Sequence, residues 1–253
     1  MIERKEIVID CLRDEKRYLT VYVPDKEGTF PVLYMMDGQN VFFDEDATYG
    51  KSWGMYDYLV KNDVDLIVVA IDSSRGKNNE RLFEYAPYDF VDYQYGLIKA
   101  EAKKFIKWLV SDLKSYVDSK YPVKSDREHT FIGGSSMGGL VSYYALMEHN
   151  DIFRCAACLS PSLWVANDKL VRLTKRASIK NDTVIYLDYG SKEAGNNKYA
   201  KRAKESFWNC IDVLKSRPIN LNVHVIQDGE HNEASWEKRV PVFVEMFLRR
   251  VDK

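Results

Sequence analysis

Short, mostly apolar runs recur along the chain at 30–36, 65–71, 130–132, 153–159, 183–187 and 221–226, the length expected of strands. The run 65–71, DLIVVAI, has no alternation, as in a parallel strand covered on both faces. Between the runs, apolar residues fall at helical spacing. Leu97, Ile98, Ala102, Phe105, Leu109, Leu113 and Tyr116 mark one face of a long amphipathic helix. Leu140, Val141, Tyr144 and Ala145 mark a second, 199–214 reads as a third, and a last helix from about residue 233 carries Val240, Val244, Phe247 and Val251. A short helix is expected from Lys51 or Ser52 to about residue 60. Segments 5–12 and 17–23 flank the polar residues 13–16 and predict a leading antiparallel hairpin. Residues 72–95 read as a long irregular stretch, rich in aromatics, of a length that is uncommon and often functional. Strands alternating with helices after the hairpin imply a three-layer α/β sandwich around a mostly parallel sheet. Nothing resembles a linker, a repeat or a low-complexity tract, so one domain, 1–253, is expected.

Charge adds mainly exclusions. Lys and Arg number 37 against 38 Asp and Glu, which leaves no basic footprint for nucleic acid or an acidic membrane surface. No window approaches the roughly 18 apolar residues of a transmembrane helix. The start, MIERKEIVID, lacks the apolar core of a secretion signal, so a cytoplasmic location is expected. Cys155 and Cys158 form a C-x-x-C inside RCAACLS, which reads as a buried strand and therefore as core filling rather than a redox pair. No second cysteine pair or histidine cluster accompanies them, so no metal site is expected.

The stretch with most chemistry is 128–146, EHTFIGGSSMGGLVSYYAL. A short apolar run passes through Gly134-Ser135-Ser136-Met137-Gly138 into a helix, the strand–turn–helix setting of a G-x-S-x-G nucleophile elbow. Ser136 is then exposed on a strained turn, and glycines flank it because helix and strand pass too closely for side chains. A serine hydroxyl needs a base to take its proton. Of four histidines, His224 lies mid-strand, while His129 and His149 sit at the wrong ends of their elements. His231, just past the last strand in DGEHNEASW, is left by elimination. Two acids at the preceding strand end could hold its imidazole, Asp188 and Glu193. Glu193 is preferred because it lies beyond Gly190 in a loop able to reach across. Oxyanion donors are expected from the Met137 N–H and from the turn after the early central strand, Asp37-Gly38-Gln39-Asn40, at the Gln39 N–H.

With these segments assembled, the chain resembles the putative-esterase family of α/β-hydrolases, which includes enterochelin esterases, S-formylglutathione hydrolases, feruloyl and acetyl-xylan esterases and mycolyltransferases. The resemblance rests on YMMDGQNVFF (34–43), RLFEYAP (81–87), FIGGSSMGGLVSYYAL, LSPSLW (159–164), LDYGSKE (187–193) and DGEHNEASW (228–236), and covers nearly the whole chain. The last segment is most similar to the enterochelin-esterase-like branch. The resemblance implies an α/β-hydrolase fold and puts the triad acid at Glu193. It also implies a serine hydrolase of small-molecule carboxylic esters that works through an acyl-enzyme without metal or cofactor. Arg75, Lys77 and Arg81 are candidate basic groups for an anionic substrate, though Arg81 is expected to pair with Glu84 and fix the long loop. Trp53 and Trp164 are candidate aromatic walls for a sugar or aryl group. Alternative readings are a carbohydrate esterase, an acyltransferase on the same triad, or a binding module on an inactive fold. The complete Ser/Glu/His set favours catalysis, since a fold alone implies no function.

Overall fold

The computed structural model describes residues 1–13, 16–193 and 198–249. Asp14 and Glu15 of the predicted turn, and Val251 of the last predicted helical face, lie outside them. The strands are β1 (Ile2–Val8), β2 (Lys16–Tyr22), β3 (Val32–Met36), β4 (Ile67–Ile71), β5 (Phe90–Asp92), β6 (Gly96–Ile98), β7 (Thr130–Ser135), β8 (Cys155–Leu159), β9 (Val184–Gly190) and β10 (Asn220–Ile226). An eight-stranded sheet runs β1-β2-β4-β3-β7-β8-β9-β10, and β5 pairs with β6 in a separate small hairpin. The β1–β2 and β2–β4 pairings are antiparallel, and every pairing from β4 to β10 is parallel.

Alternation along the buried strands divides the core. Val32, Tyr34 and Met36 of β3 enter one apolar cluster, with Phe105, Leu140, Leu170 and Phe207 from helices on that face. Leu33 and Met35 enter the other, with Met55, Leu59, Phe243 and Phe247. The first face carries α2 (Arg81–Tyr85), α3 (Ala102–Trp108), α4 (Lys114–Lys120), α5 (Met137–Glu148), α6 (Asn167–Arg176) and α7 (Lys198–Leu214); the second carries α1 (Met55–Lys61), α8 (Glu233–Glu237) and α9 (Val240–Leu248). This is the expected three-layer sandwich with its leading hairpin.

The elements depart locally from the expected ones. Leu97 and Ile98 belong to β6, and the long helix begins only at Ala102. Between α3 and α4 the chain winds as a π-helix, Leu109–Leu113. Phe105, Leu109, Leu113 and Val117 are buried at intervals of four along this run, beside Ile106, and a wider turn keeps that interval on one face. The 72–95 stretch is less irregular than its composition suggests, since it holds α2 and β5. The last helix is divided into α8 and α9, where Pro241 occupies the first turn of a new helix.

Candidate active site

Strain gathers at the carboxyl ends of the strands, where α/β sheets place their chemistry. Asp37 after β3, Ser136 after β7, Ser160 after β8 and Asp228 after β10 all have positive φ, between 45° and 56°. Ser136 sits between β7 and α5 at φ 56°, ψ −119°. Its backbone is held there on three sides. The Ser136 N–H donates to the Leu159 carbonyl at 2.9 Å, and its own carbonyl accepts from Leu140 N–H and Ser162 N–H, each at 3.0 Å. A Cβ on Gly134 would lie 2.8 Å from the Gly138 carbonyl carbon, so strand and helix close on each other only with glycine there. The half-buried Ser136 and the exposed His231 line one cleft of about 700 Å³.

His231 is placed by the helix that follows it. Asn232 caps α8, its side chain accepting the Ser235 N–H at 2.9 Å. The loops after β9 and β10 are joined by Ser191 N–H to Ile226 O and Lys192 N–H to Gly229 O, both 2.9 Å. That joining brings Glu193 Oε2 to 3.2 Å from His231 Nδ1. Glu193 is almost fully buried at 4% side-chain exposure, in low dielectric beside the ring it faces. The alternative acid, Asp188, is turned elsewhere. Its Oδ1 accepts the Ser160 N–H at 2.9 Å, and its Oδ2 accepts the Tyr186 hydroxyl at 3.0 Å and faces Arg239 at 3.2 Å. Burial raises the Asp188 carboxyl above its ordinary value, against the Arg239 cation that lowers it.

Across the cleft, Gln39 is fixed by a two-way contact with Ser73. Its Nε2 donates to Ser73 Oγ at 3.0 Å and its Oε1 accepts Ser73 N–H at 3.1 Å. Met137 opens α5, where the first amides have no intrahelical partner. Gln39 lines the cleft, and Met137 directly follows Ser136. Contrary to the expectation from the sequence, Arg81 does not pair with Glu84. It binds Asp37 in a two-pronged ion pair, Nε–Oδ1 2.5 Å and Nη2–Oδ2 2.7 Å, beneath the turn that carries Gln39. Glu84 instead takes Arg17 of β2 in a buried pair at 2.7 Å. Both pairs anchor the long loop, with partners 44 and 67 residues away. Arg75 and Lys77 line the outer cleft, as do Tyr49 and Tyr95.

The tryptophans are not walls of this cleft. Trp53 is buried at 2% exposure, its ring 6.1 Å from that of Trp236 and 6.4 Å from that of Phe243. Trp164 is half-buried, packs edge-on against Phe90 and does not line the cleft. Trp236, which the sequence reading left without a role, does line the cleft and meets the His231 ring at 5.0 Å, edge to face. Glu233 was also missed. It is buried on the cleft, accepts Asn40 Nδ2 at 3.1 Å, and has its carboxyl pushed up by burial. Its position two residues after His231 was the available signal. Cys155 and Cys158 are both buried in β8, and burial pushes the Cys158 thiol well up. No group of three or more His, Cys, Asp or Glu able to hold a metal occurs among the described residues, and no described helix is long and apolar enough to cross a membrane.

Solved structures share this architecture. An IroE-like serine hydrolase from Shewanella oneidensis is 18% identical, with 98% of this chain and 80% of that one covered at a TM-score of 0.76. A ferulic acid esterase is 18% identical over 99% and 98% at 0.71, and the siderophore hydrolase EstA from Aspergillus nidulans 17% identical over 97% and 94% at 0.72. The fold is that of the α/β-hydrolase esterases. The family model described as Putative esterase matches residues 13–246, so the chain belongs to that family and is an esterase. The uncharacterized protein YbbA of Bacillus subtilis (strain 168) is 21% identical over 201 residues, 74% of this chain and 72% of that protein.

Proposed function

We propose that the chain is a serine carboxylic-ester hydrolase working through Ser136, His231 and Glu193. The observation that carries this reading is the convergence of three strand ends: a strained Ser136 and His231 on one cleft, with His231 Nδ1 3.2 Å from Glu193 Oε2. In this mechanism Ser136 Oγ attacks the ester carbonyl as His231 Nε2 takes its proton. The Met137 and Gln39 N–H groups hold the developing oxyanion, an interaction worth about 3–4 kcal/mol per donor. The C–O bond to the alcohol breaks, and His231 returns the proton to the leaving oxygen. Water, deprotonated by His231, then hydrolyses the acyl-enzyme. Glu193 keeps the imidazole in the tautomer with the proton on Nδ1 and stabilises its cationic form.

For the substrate we propose an anionic ester of the kind cleaved by enterochelin esterases. Arg75 and Lys77 give the outer cleft positive charge, whereas the Arg81 cation is neutralised by Asp37. Several structural neighbours carry siderophore hydrolase names. The competing carbohydrate-ester reading draws on Tyr49 and Tyr95 at the same mouth, which suit stacking against a sugar or feruloyl group. Turnover of a catechol trilactone set beside feruloylated and acetylated sugars separates the two. A trilactone left intact while a sugar ester is cleaved overturns the first reading. The same assay with a competing alcohol tests acyl transfer, for which free acid as the sole product is the result expected here.

A further inference from the structure

The segment Ser160-Pro161-Ser162, part of LSPSLW, has no role in the chemistry above, yet it touches all three members of the proposed triad or their supports. Ser160 is buried and held at φ 45°, a conformation costly for any residue but glycine. Its N–H is fixed by Asp188 Oδ1 at 2.9 Å, and Asp188 is itself held by Tyr186 and Arg239. The Ser160 hydroxyl has one proton to donate; Glu193 Oε1 is its near acceptor, with Asp188 Oδ1 farther off at 3.5 Å. Gly190 N–H also donates to that oxygen, at 2.7 Å. Glu193 Oε1 is thus occupied twice, which leaves Oε2 directed at His231 Nδ1. The Ser160 oxygen in turn accepts the Trp236 indole N–H at 2.9 Å, and the Trp236 ring stands edge-on to the His231 ring. On the other side, Ser162 N–H donates to the Ser136 carbonyl at 3.0 Å.

We propose that Ser160 is a positioning residue of the esterase, its hydroxyl locking the Glu193 carboxylate and the Trp236 indole in the orientation that aligns His231. This inference rests on the triad reading. Asp188 acts one step further back, holding the strained Ser160 backbone so that the hydroxyl faces Glu193. The strain is the sign of this use: an unfavourable φ kept by a buried carboxylate serves the direction of a side chain.

The test uses the full chain and p-nitrophenyl acetate. Ser160→Ala and Ser160→Gly both delete the hydroxyl but have opposite effects on the backbone, since glycine relieves the positive φ and alanine does not. Both variants are expected to lose kcat by the same factor, about 10- to 100-fold, with KM nearly unchanged, although the glycine variant melts higher. In a Glu193→Ala background the same substitutions are expected to change kcat by less than about twofold, because the group they align is gone. Wild-type kcat in either single variant overturns the proposal. So does a loss that follows melting temperature rather than the missing hydroxyl, or one that persists undiminished without Glu193. Fluorophosphonate labelling of the wild type keeps the two readings apart. Unlabelled Ser136 sinks the triad and this proposal with it, whereas labelled Ser136 with unaffected Ser160 variants sinks this proposal alone.

Discussion

At the scale of single residues, two carboxylates five residues apart in the chain, Asp188 and Glu193, have different expected consequences when removed. Glu193→Gln keeps the shape but not the charge facing His231, and is expected to lower kcat by about 10³- to 10⁴-fold with the fold retained. Asp188→Ala instead strands the buried Arg239 cation and is expected to cost about 3–5 kcal/mol of stability, read by urea unfolding. If Asp188→Ala proves as stable as wild type while Glu193→Gln keeps full activity, the assignment of the acid is reversed. A third carboxylate, Asp72, is buried at 5% exposure just after β4, and burial lifts it from 3.8 to about 6. The folded chain then holds this proton to higher pH than the unfolded chain does. Stability from the group is complete below about pH 4 and is lost as the pH rises through about 6. Asp72→Asn is therefore expected to gain on wild type by about 2 kcal/mol between pH 4 and pH 7. A stability difference that stays flat over that range contradicts the shift. Ser136, Glu193 and His231 could be proposed from the sequence because each falls in the turn or loop that follows a recognisable strand. The partner of Arg81 could not, because Asp37 is 44 residues away in the chain and only the parallel pairing of β3 with β4 brings the segments that follow them together.

Among elements, the loops after β9 and β10 act as one unit. Gly190 N–H supports Glu193, and a Cβ added at Gly190 would come within 2.6 Å of the Gly229 carbonyl carbon. Gly190→Ala is expected to push these loops apart and lower kcat by about 10- to 100-fold, with KM largely kept. A variant with wild-type kcat would show that the two loops need not be joined. The parallel strands were legible in advance as short apolar runs, and α5 as the helix of the elbow motif, although it is buried on nearly every side. Helix α6 was not. Its sequence, NDKLVRLTKR, has few apolar positions, and its N-cap is Ala166 in a left-handed conformation with no capping side chain. The π-helical Leu109–Leu113 was hidden for the reverse reason, because spacing by four reads as an ordinary α-helix until the whole buried face is seen.

For the molecule as a whole, the sheet joins two apolar clusters into one structure, and the buried Arg17–Glu84 pair ties the long loop to the second strand. The one-domain reading predicts a single cooperative unfolding transition by circular dichroism and tryptophan fluorescence together. Two separated transitions would divide the chain. Mostly parallel order, layer count and the direction of the site followed from the alternation of strand and helix, since right-handed crossovers leave few other arrangements. The depth and charge of the cleft did not, as they depend on which long-loop cations are already paired, and Arg81 is while Lys77 lines the outer cleft. The central claim, an activated Ser136, is tested most directly by intact-mass measurement after fluorophosphonate treatment of wild type, Ser136→Ala and His231→Ala. One adduct on wild type and none on either variant is the predicted result. A folded wild type without adduct, or a Ser136→Ala protein labelled as fast as wild type, contradicts it.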